Sequence, residues 1–171
     1  WQDRQRAVKE ISIFMRDIKD LTLNELEEAL IGWDESPFHA KQIFSWIYKK
    51  GAGSFEQMSD LSANLRKRMK EDFYIYGLSV ASELRSCDGT EKLLFKLRDG
   101  NYIEGVIIPA EGRVTGCISS QVGCKFACSF CASGLSGFKR NLTAGEILEQ
   151  ALFLKTYAPE NKLTHIVFMG T

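Results

Sequence analysis

Through the first seventy or so residues, apolar positions recur at helical spacing; near Tyr74 they give way to short runs rich in β-branched residues. Ile11, Phe14 and Met15 stand at helical spacing near the start. Thr22 and Glu25 form a capping box ahead of a helix predicted over residues 23–31, with Gly32 as its stop. Ser36 and Pro37 supply an N-cap followed by proline at the first helical position. The helix predicted from there, over residues 37–50, presents Ile43, Phe44, Ile47 and Tyr48 before Gly51 ends it. A further helix over about residues 62–72 carries Leu65 and Met69 among Arg66, Lys67, Arg68 and Lys70.

After Tyr74 the apolar runs 78–84, 92–97 and 102–108 are separated by Asp88-Gly89 and Asp99-Gly100, the dipeptides that favour tight hairpins. They predict a small antiparallel meander. A short strand over residues 114–119 leads into a cysteine-rich loop. Thr143 and Glu146 then cap a helix running to about Tyr157, and residues 164–169 form an apolar strand. Strand, loop, helix and strand make one βαβ unit of a parallel sheet, which by itself cannot bury both faces. The expected class is α/β, in three parts: an N-terminal helical accessory domain over residues 1–74, a β-meander extension over 75–112, and the first βαβ unit of a larger sheet over 113–171.

Composition narrows the function classes. The chain has 171 residues, 44% of them hydrophobic, and 22 basic side chains balance 22 acidic ones. Zero net charge argues against a dedicated sequence-independent nucleic-acid binder, while leaving room for a local basic patch. The longest apolar runs, such as residues 106–110, are too short to span a membrane, and no secretory signal is visible; a cytoplasmic protein is expected. Three of the five cysteines fall within eight residues, which points to metal or redox chemistry.

Those three, Cys124, Cys128 and Cys131, stand at offsets of four and three. Three thiolates hold a 4Fe–4S cluster with one iron left open, and S-adenosylmethionine (SAM) can chelate that iron. Phe126 and Phe130 are placed to shield such a cluster; Ala127 and Ser129 are small enough for close wrapping, and Gly123, Gly134 and Gly137 give the loop backbone freedom. A structural zinc with Cys117 as fourth ligand competes with this reading, although zinc sites usually pair cysteines in closer knuckles. Three cysteines on an apolar helix face is the other alternative, against which the flanking glycines argue. Cys117 ends a strand whose edge would face the site, or is an inert buried thiol. Glu104 alternates with Tyr102 and Val106 on one strand face, where partial burial would raise its pKa, or it is an exposed hairpin carboxylate. Cys87 beside a turn and His165 in a strand read as structural.

The residues around the motif resemble one family of radical SAM enzymes, the bacterial methyltransferases acting on carbon 2 of adenine in ribosomal and transfer RNA. The resemblance runs through Lys41-Gln42-Ile43-Phe44, Trp46-Ile47-Tyr48, Ser86 with Asp88-Gly89-Thr90-Glu91-Lys92, and Glu104 ahead of Ile108-Pro109. It continues through residues 117–124, Gly137-Phe138, Arg140-Asn141-Leu142-Thr143 and Phe168-Met169-Gly170. Thr171 departs from the methionine many relatives carry there.

The resemblance implies a partial (β/α) barrel preceded by a small helical domain that engages RNA, with the Arg66 to Lys70 cluster as one contact. It implies a 4Fe–4S cluster on Cys124, Cys128 and Cys131, with SAM as both methyl donor and radical source. It also implies rRNA and tRNA substrates, an electron donor such as flavodoxin or ferredoxin, and a monomer. In the family a methyl group is placed on a C-terminal cysteine, activated by a 5′-deoxyadenosyl radical, and joined to adenine as a protein–RNA adduct. Glu104 then matches the proton acceptor, and Cys117 matches the cysteine that releases the product as a disulfide. By the same resemblance the chain stops before the methyl-carrying cysteine and is expected not to methylate RNA unaided. A carbon-8 methyltransferase and a zinc-stabilised RNA-binding module remain as alternatives.

Overall fold

In the computed structural model, the described residues are 15–126, 128, 129, 131, 137–158 and 162–168. They fall into two compact units, Trp1–Tyr76 and Gly77–Thr171.

The first unit is built on capped helices. In α1 (Leu23–Gly32) the Thr22 side chain accepts from the Glu25 amide while the Glu25 carboxylate accepts from the Thr22 amide, so two orphan donors are satisfied at once. Gly32 is the last helical residue and not the stop; the left-handed position falls two residues later, at Asp34 with φ 62°. The helix expected over residues 37–50 is α-helical as α2 (Phe38–Phe44) and then widens into a π-helical turn, Ser45–Lys49. Gly51, with φ 66°, follows it. Ser62 caps α3 (Ala63–Asp72) by accepting from the Leu65 amide at 3.1 Å. Leu26, Leu30, Ile43, Met58, Leu65 and Met69 are essentially fully buried and make the centre of this unit's core.

Most of the helical spacing noted near the start falls outside the described residues. Ile11 and Phe14 lie outside the described residues, and Met15 leads into β1 (Arg16–Asp17), which pairs in parallel with β2 (Phe73–Tyr74). Asp17 accepts from the Lys19 amide at 2.9 Å and lies 2.8 Å from the Lys19 ammonium, both side chains being buried. The ammonium also donates to the Ile75 carbonyl. Such a pair needs a partner from the far end of the unit, which local spacing does not reveal.

The second unit is a five-stranded sheet in the order β3-β4-β5-β6-β9. Its strands are β3 (Ser79–Arg85), β4 (Glu91–Lys96), β5 (Tyr102–Ala110), β6 (Arg113–Ile118) and β9 (His165–Phe168). The three hairpins are antiparallel, and Gly89 (φ 83°) and Gly100 (φ 84°) make the turns that Asp-Gly predicts. Two short strands, β7 (Gln121–Val122) and β8 (Arg140–Asn141), pair separately. The helix α4 (Ala144–Tyr157), with its Thr143–Glu146 capping box, carries the chain from there toward β9, parallel to β6. The expected βαβ unit is present. Its first strand hydrogen-bonds directly to the meander, so the meander and the two strands of the βαβ unit share one sheet.

Side-chain alternation leaves that sheet two unlike faces. Leu93, Phe95, Ile103 and Ile107 are buried on the side of α4, where Phe153 meets the Phe95 ring edge-on at 5.2 Å. Tyr102 and Glu104 lie on the other side and are exposed, with Val106 between exposure and burial.

Candidate active site

The face away from α4 carries both residues singled out beside the cysteine motif. Val106 is the cross-strand partner of Cys117, and Glu104 stands two residues before Val106 on the same face. Glu104 and Cys117 are therefore diagonal neighbours on adjacent strands. Cys117 is half-buried, one residue from the C-terminal end of β6.

Of the two readings of Glu104, the exposed carboxylate is the one the structure has. Its side chain is 52% exposed and pairs with the Lys92 ammonium at 3.0 Å. The alternation does place it on one face with Tyr102 and Val106, but that face is the one α4 leaves open. Its partner is a cation on the neighbouring strand β4.

The backbone beneath these residues is held tightly. The Ser119 hydroxyl donates to the Glu104 carbonyl at 2.8 Å, and the buried Gln150 amide brackets the Ser119 peptide, accepting from its N–H at 2.9 Å and donating to its carbonyl at 3.1 Å. One residue earlier in α4, the buried Glu149 carboxylate accepts from the amides of Gly77 at 2.8 Å and Leu78 at 2.9 Å, anchoring the segment that enters β3. Neither Ser119 nor Gln150 was found as a supporting residue from sequence. The available signal was periodicity, since Ile147, Gln150, Ala151 and Leu154 form one helix stripe and a glutamine on it must be satisfied.

Immediately beyond β6 comes the cysteine loop. Its neck is formed by β7 and β8, where Gln121 pairs with Asn141 and Val122 with Arg140, and the Lys139 amide donates to the Val122 carbonyl at 2.9 Å. At the neck a Cβ on Gly123 would lie 1.7 Å from the Gly137 carbonyl oxygen, so this backbone crossing admits only glycine; both residues have positive φ, 69° and 67°. Inside the loop Cys124 is buried, Cys128 exposed and Cys131 half-buried, and the Cys131 amide donates to the Cys128 carbonyl at 3.0 Å. Phe126 is 73% exposed. Ala127, Phe130 and Gly134 lie outside the described residues. Among the described residues no three His, Cys, Asp or Glu side chains are grouped as a metal site, so the three thiols share a loop without being drawn together. Among the same residues no helix is long and apolar enough to cross a membrane.

Comparison with known proteins decides the family. Residues 16–75 match the ribosomal RNA large subunit methyltransferase N-terminal domain. A dual-specificity RNA methyltransferase RlmN of Geotalea uraniireducens is 45% identical over 154 residues, covering 90% of this chain. A probable dual-specificity RNA methyltransferase RlmN of Chlorobium phaeovibrioides is 47% identical over 165 residues, covering 91% of it. The chain belongs to the RlmN family. It spans 44% of the length of each of these two relatives. The RlmN likeness extends to the fold: the crystal structure of a radical SAM methyltransferase from Sphaerobacter thermophilus superposes with a TM-score of 0.83 at 40% identity, covering 91% of this chain and 46% of that one.

Proposed function

We propose that this chain is the N-terminal part of a radical SAM methyltransferase that adds a methyl group to carbon 2 of adenine in 23S rRNA and tRNA, and that the second unit opens its partial (β/α) barrel. The observation that carries the reading is the shared open face of Glu104 and Cys117, on a sheet whose next segment is the three-cysteine loop. The family's names support the RNA substrates.

The loop's donors fit a 4Fe–4S cluster in kind. Three thiols are the soft ligands it requires, and a closed neck with a turn from Cys128 to Cys131 can hold them on one short loop. Cys124, Cys128 and Cys131 would hold the cluster. When bound with SAM, it supplies the radical chemistry that activates the methyl group. SAM, an electron donor such as flavodoxin or ferredoxin, and a cytoplasmic setting complete the proposal.

This chain's own residues act at the end of the reaction. The Glu104 carboxylate accepts the proton that leaves carbon 2, and the Lys92 ammonium 3.0 Å away holds that carboxylate in place on the open face. The Cys117 sulfur then attacks the sulfur that links protein to RNA. An S–S bond forms, the S–C bond breaks, and the carbon leaves with the electron pair and takes up a proton as the product methyl group.

The test uses a protein of the relatives' full length that carries this chain. Cys117→Ala should trap a covalent protein–RNA adduct visible on denaturing gels, and normal product release by that variant would overturn the assignment. Digestion of the methylated RNA should give the carbon-2 nucleoside; a carbon-8 product would refute the proposed position. Zinc without iron or sulfide after anaerobic reconstitution would remove the cluster.

A further inference from the structure

The neck of the cysteine loop is closed by more than its two glycines. The Arg140 guanidinium makes a bidentate pair with Glu146, at 2.7 and 2.8 Å, and reaches Asp99 through two nitrogens at 2.8 and 2.6 Å. Glu146 is the capping residue of α4 and also accepts from the Thr143 amide at 3.0 Å; Asp99 belongs to the β4–β5 turn, where it accepts from the Asn101 amide at 2.9 Å. One side chain thus joins three elements: the return strand of the loop, the start of α4 and the tip of a hairpin. Next to it, the Lys139 ammonium donates to the Asn101 side chain at 2.8 Å, a second tie to the same tip.

An exposed ion pair contributes little, but this one differs in geometry. The guanidinium is fixed from both sides by planar, charge-assisted bonds, and only a third of it is exposed. Both carboxylates are themselves held by backbone amides, so the fork meets acceptors that are already oriented. Arg140 pairs across the neck with Val122, one residue before Gly123 and two before Cys124.

We propose that Arg140 is a positioning residue for the cysteine loop, keeping its neck closed and thereby setting how firmly Cys124, Cys128 and Cys131 retain a 4Fe–4S cluster. The inference rests on reading that loop as the cluster's holder. Arg140 touches neither iron nor substrate; it acts through the register of β8 against β7. Lysine at this position keeps the charge but cannot span both carboxylates with a planar fork.

The experiment compares wild type, Arg140→Gln, Arg140→Lys and Asp99→Asn in a protein of the relatives' full length, reconstituted anaerobically with iron and sulfide. Loss of iron to an excess of chelator should be about tenfold faster or more in Arg140→Gln, as for other residues that support a metal's ligands. Hydrogen exchange in peptides spanning residues 137–142 should rise in the same variant, with and without iron, while exchange in α1 stays unchanged. Arg140→Lys should fall between the two, and Asp99→Asn, which keeps the Glu146 arm, should show a smaller change in the same direction. If wild type holds iron and Arg140→Gln releases it at the same rate, the positioning role is overturned and the cluster reading stands. If wild type takes up no iron, the cluster reading itself fails, and the inference with it. Should Arg140→Gln not fold, Asp99→Asn decides by the same comparison: wild-type retention overturns the role.

Discussion

The Ser119 hydroxyl donates to the carbonyl oxygen of Glu104 at 2.8 Å, tying the end of β6 to the strand that carries the proposed proton acceptor. Ser119 lies two residues beyond Cys117, so the same bond fixes the backbone of both candidate groups. Its own peptide is held from below by Gln150. The open face of the sheet is therefore supported from the covered one, through a serine and a glutamine with no role in the chemistry. Preorganisation of this kind lets two side chains keep their relative placement without contact between them.

Replacing Gln150 by leucine should reveal that support. The change keeps the volume but leaves the Ser119 amide and carbonyl buried without their side-chain partner. The cost should be about 2–3 kcal/mol, whereas Ser119→Ala, which removes the hydroxyl's bond to the Glu104 carbonyl, should cost about 1 kcal/mol. Chemical denaturation followed by circular dichroism would measure both, and equal costs would show that the glutamine is not the principal brace.

Gly123→Ala is expected to fail in a different way. A methyl group there would press into the Gly137 carbonyl, and a positive φ adds strain for any L side chain. The sheet and α4 do not depend on that crossing, so far-ultraviolet circular dichroism should stay near wild type while iron uptake on reconstitution falls by about an order of magnitude, in line with loss of a ligand-supporting contact. Normal iron content in a folded Gly123→Ala protein would mean that the neck opens without consequence.

The pattern of the chain makes the local features legible and leaves the distant ones hidden. Capping boxes at Thr22 and Thr143 and the turns at Gly89 and Gly100 depend on residues within four positions, and each forms as the sequence predicts. The alternation around Glu104 correctly identifies a face, but which face a helix covers depends on the path of α4, forty residues later. That is why alternation alone could not choose between a half-buried and an exposed Glu104, and the structure has it exposed. The buried Asp17–Lys19 pair and the Arg140 fork are invisible for the same reason, since Ile75 and Asp99 are far away in sequence. The cysteine spacing points to a donor set but carries no information on how closely the thiols approach.

Tyr157 gives a prediction in pH. Its hydroxyl donates to the Glu83 carboxylate, which pushes its pKa up to about 12 from the usual value near 10. The bond ties the end of α4 to the edge strand β3 and exists only while the phenol is protonated. Its contribution is fully present below the ordinary tyrosine pKa and fades as pH rises from about 10 through about 12. Melting temperature followed over that range should drop more steeply in wild type than in Tyr157→Phe. Parallel curves would show that the bond contributes nothing to the folded state.

Glu104→Gln separates proton acceptance from binding. Glutamine keeps the shape and can still accept a hydrogen bond, but it cannot take up a proton near neutral pH, and its pairing with Lys92 loses the charge. In a protein of the relatives' full length the variant should bind RNA as wild type does, because glutamine keeps the size of the side chain and its place on the sheet. Turnover should fall by about 10² or more, the range typical for loss of a general base. The block also comes before release, so Glu104→Gln, like Cys117→Ala, should accumulate a covalent protein–RNA adduct. The two adducts should differ at carbon 2, where the hydrogen remains in Glu104→Gln and is gone in Cys117→Ala. RNA deuterated at carbon 2 and mass spectrometry of the trapped species would distinguish them. Retention of deuterium in both, or in neither, would show that proton removal and release are not divided between these two residues.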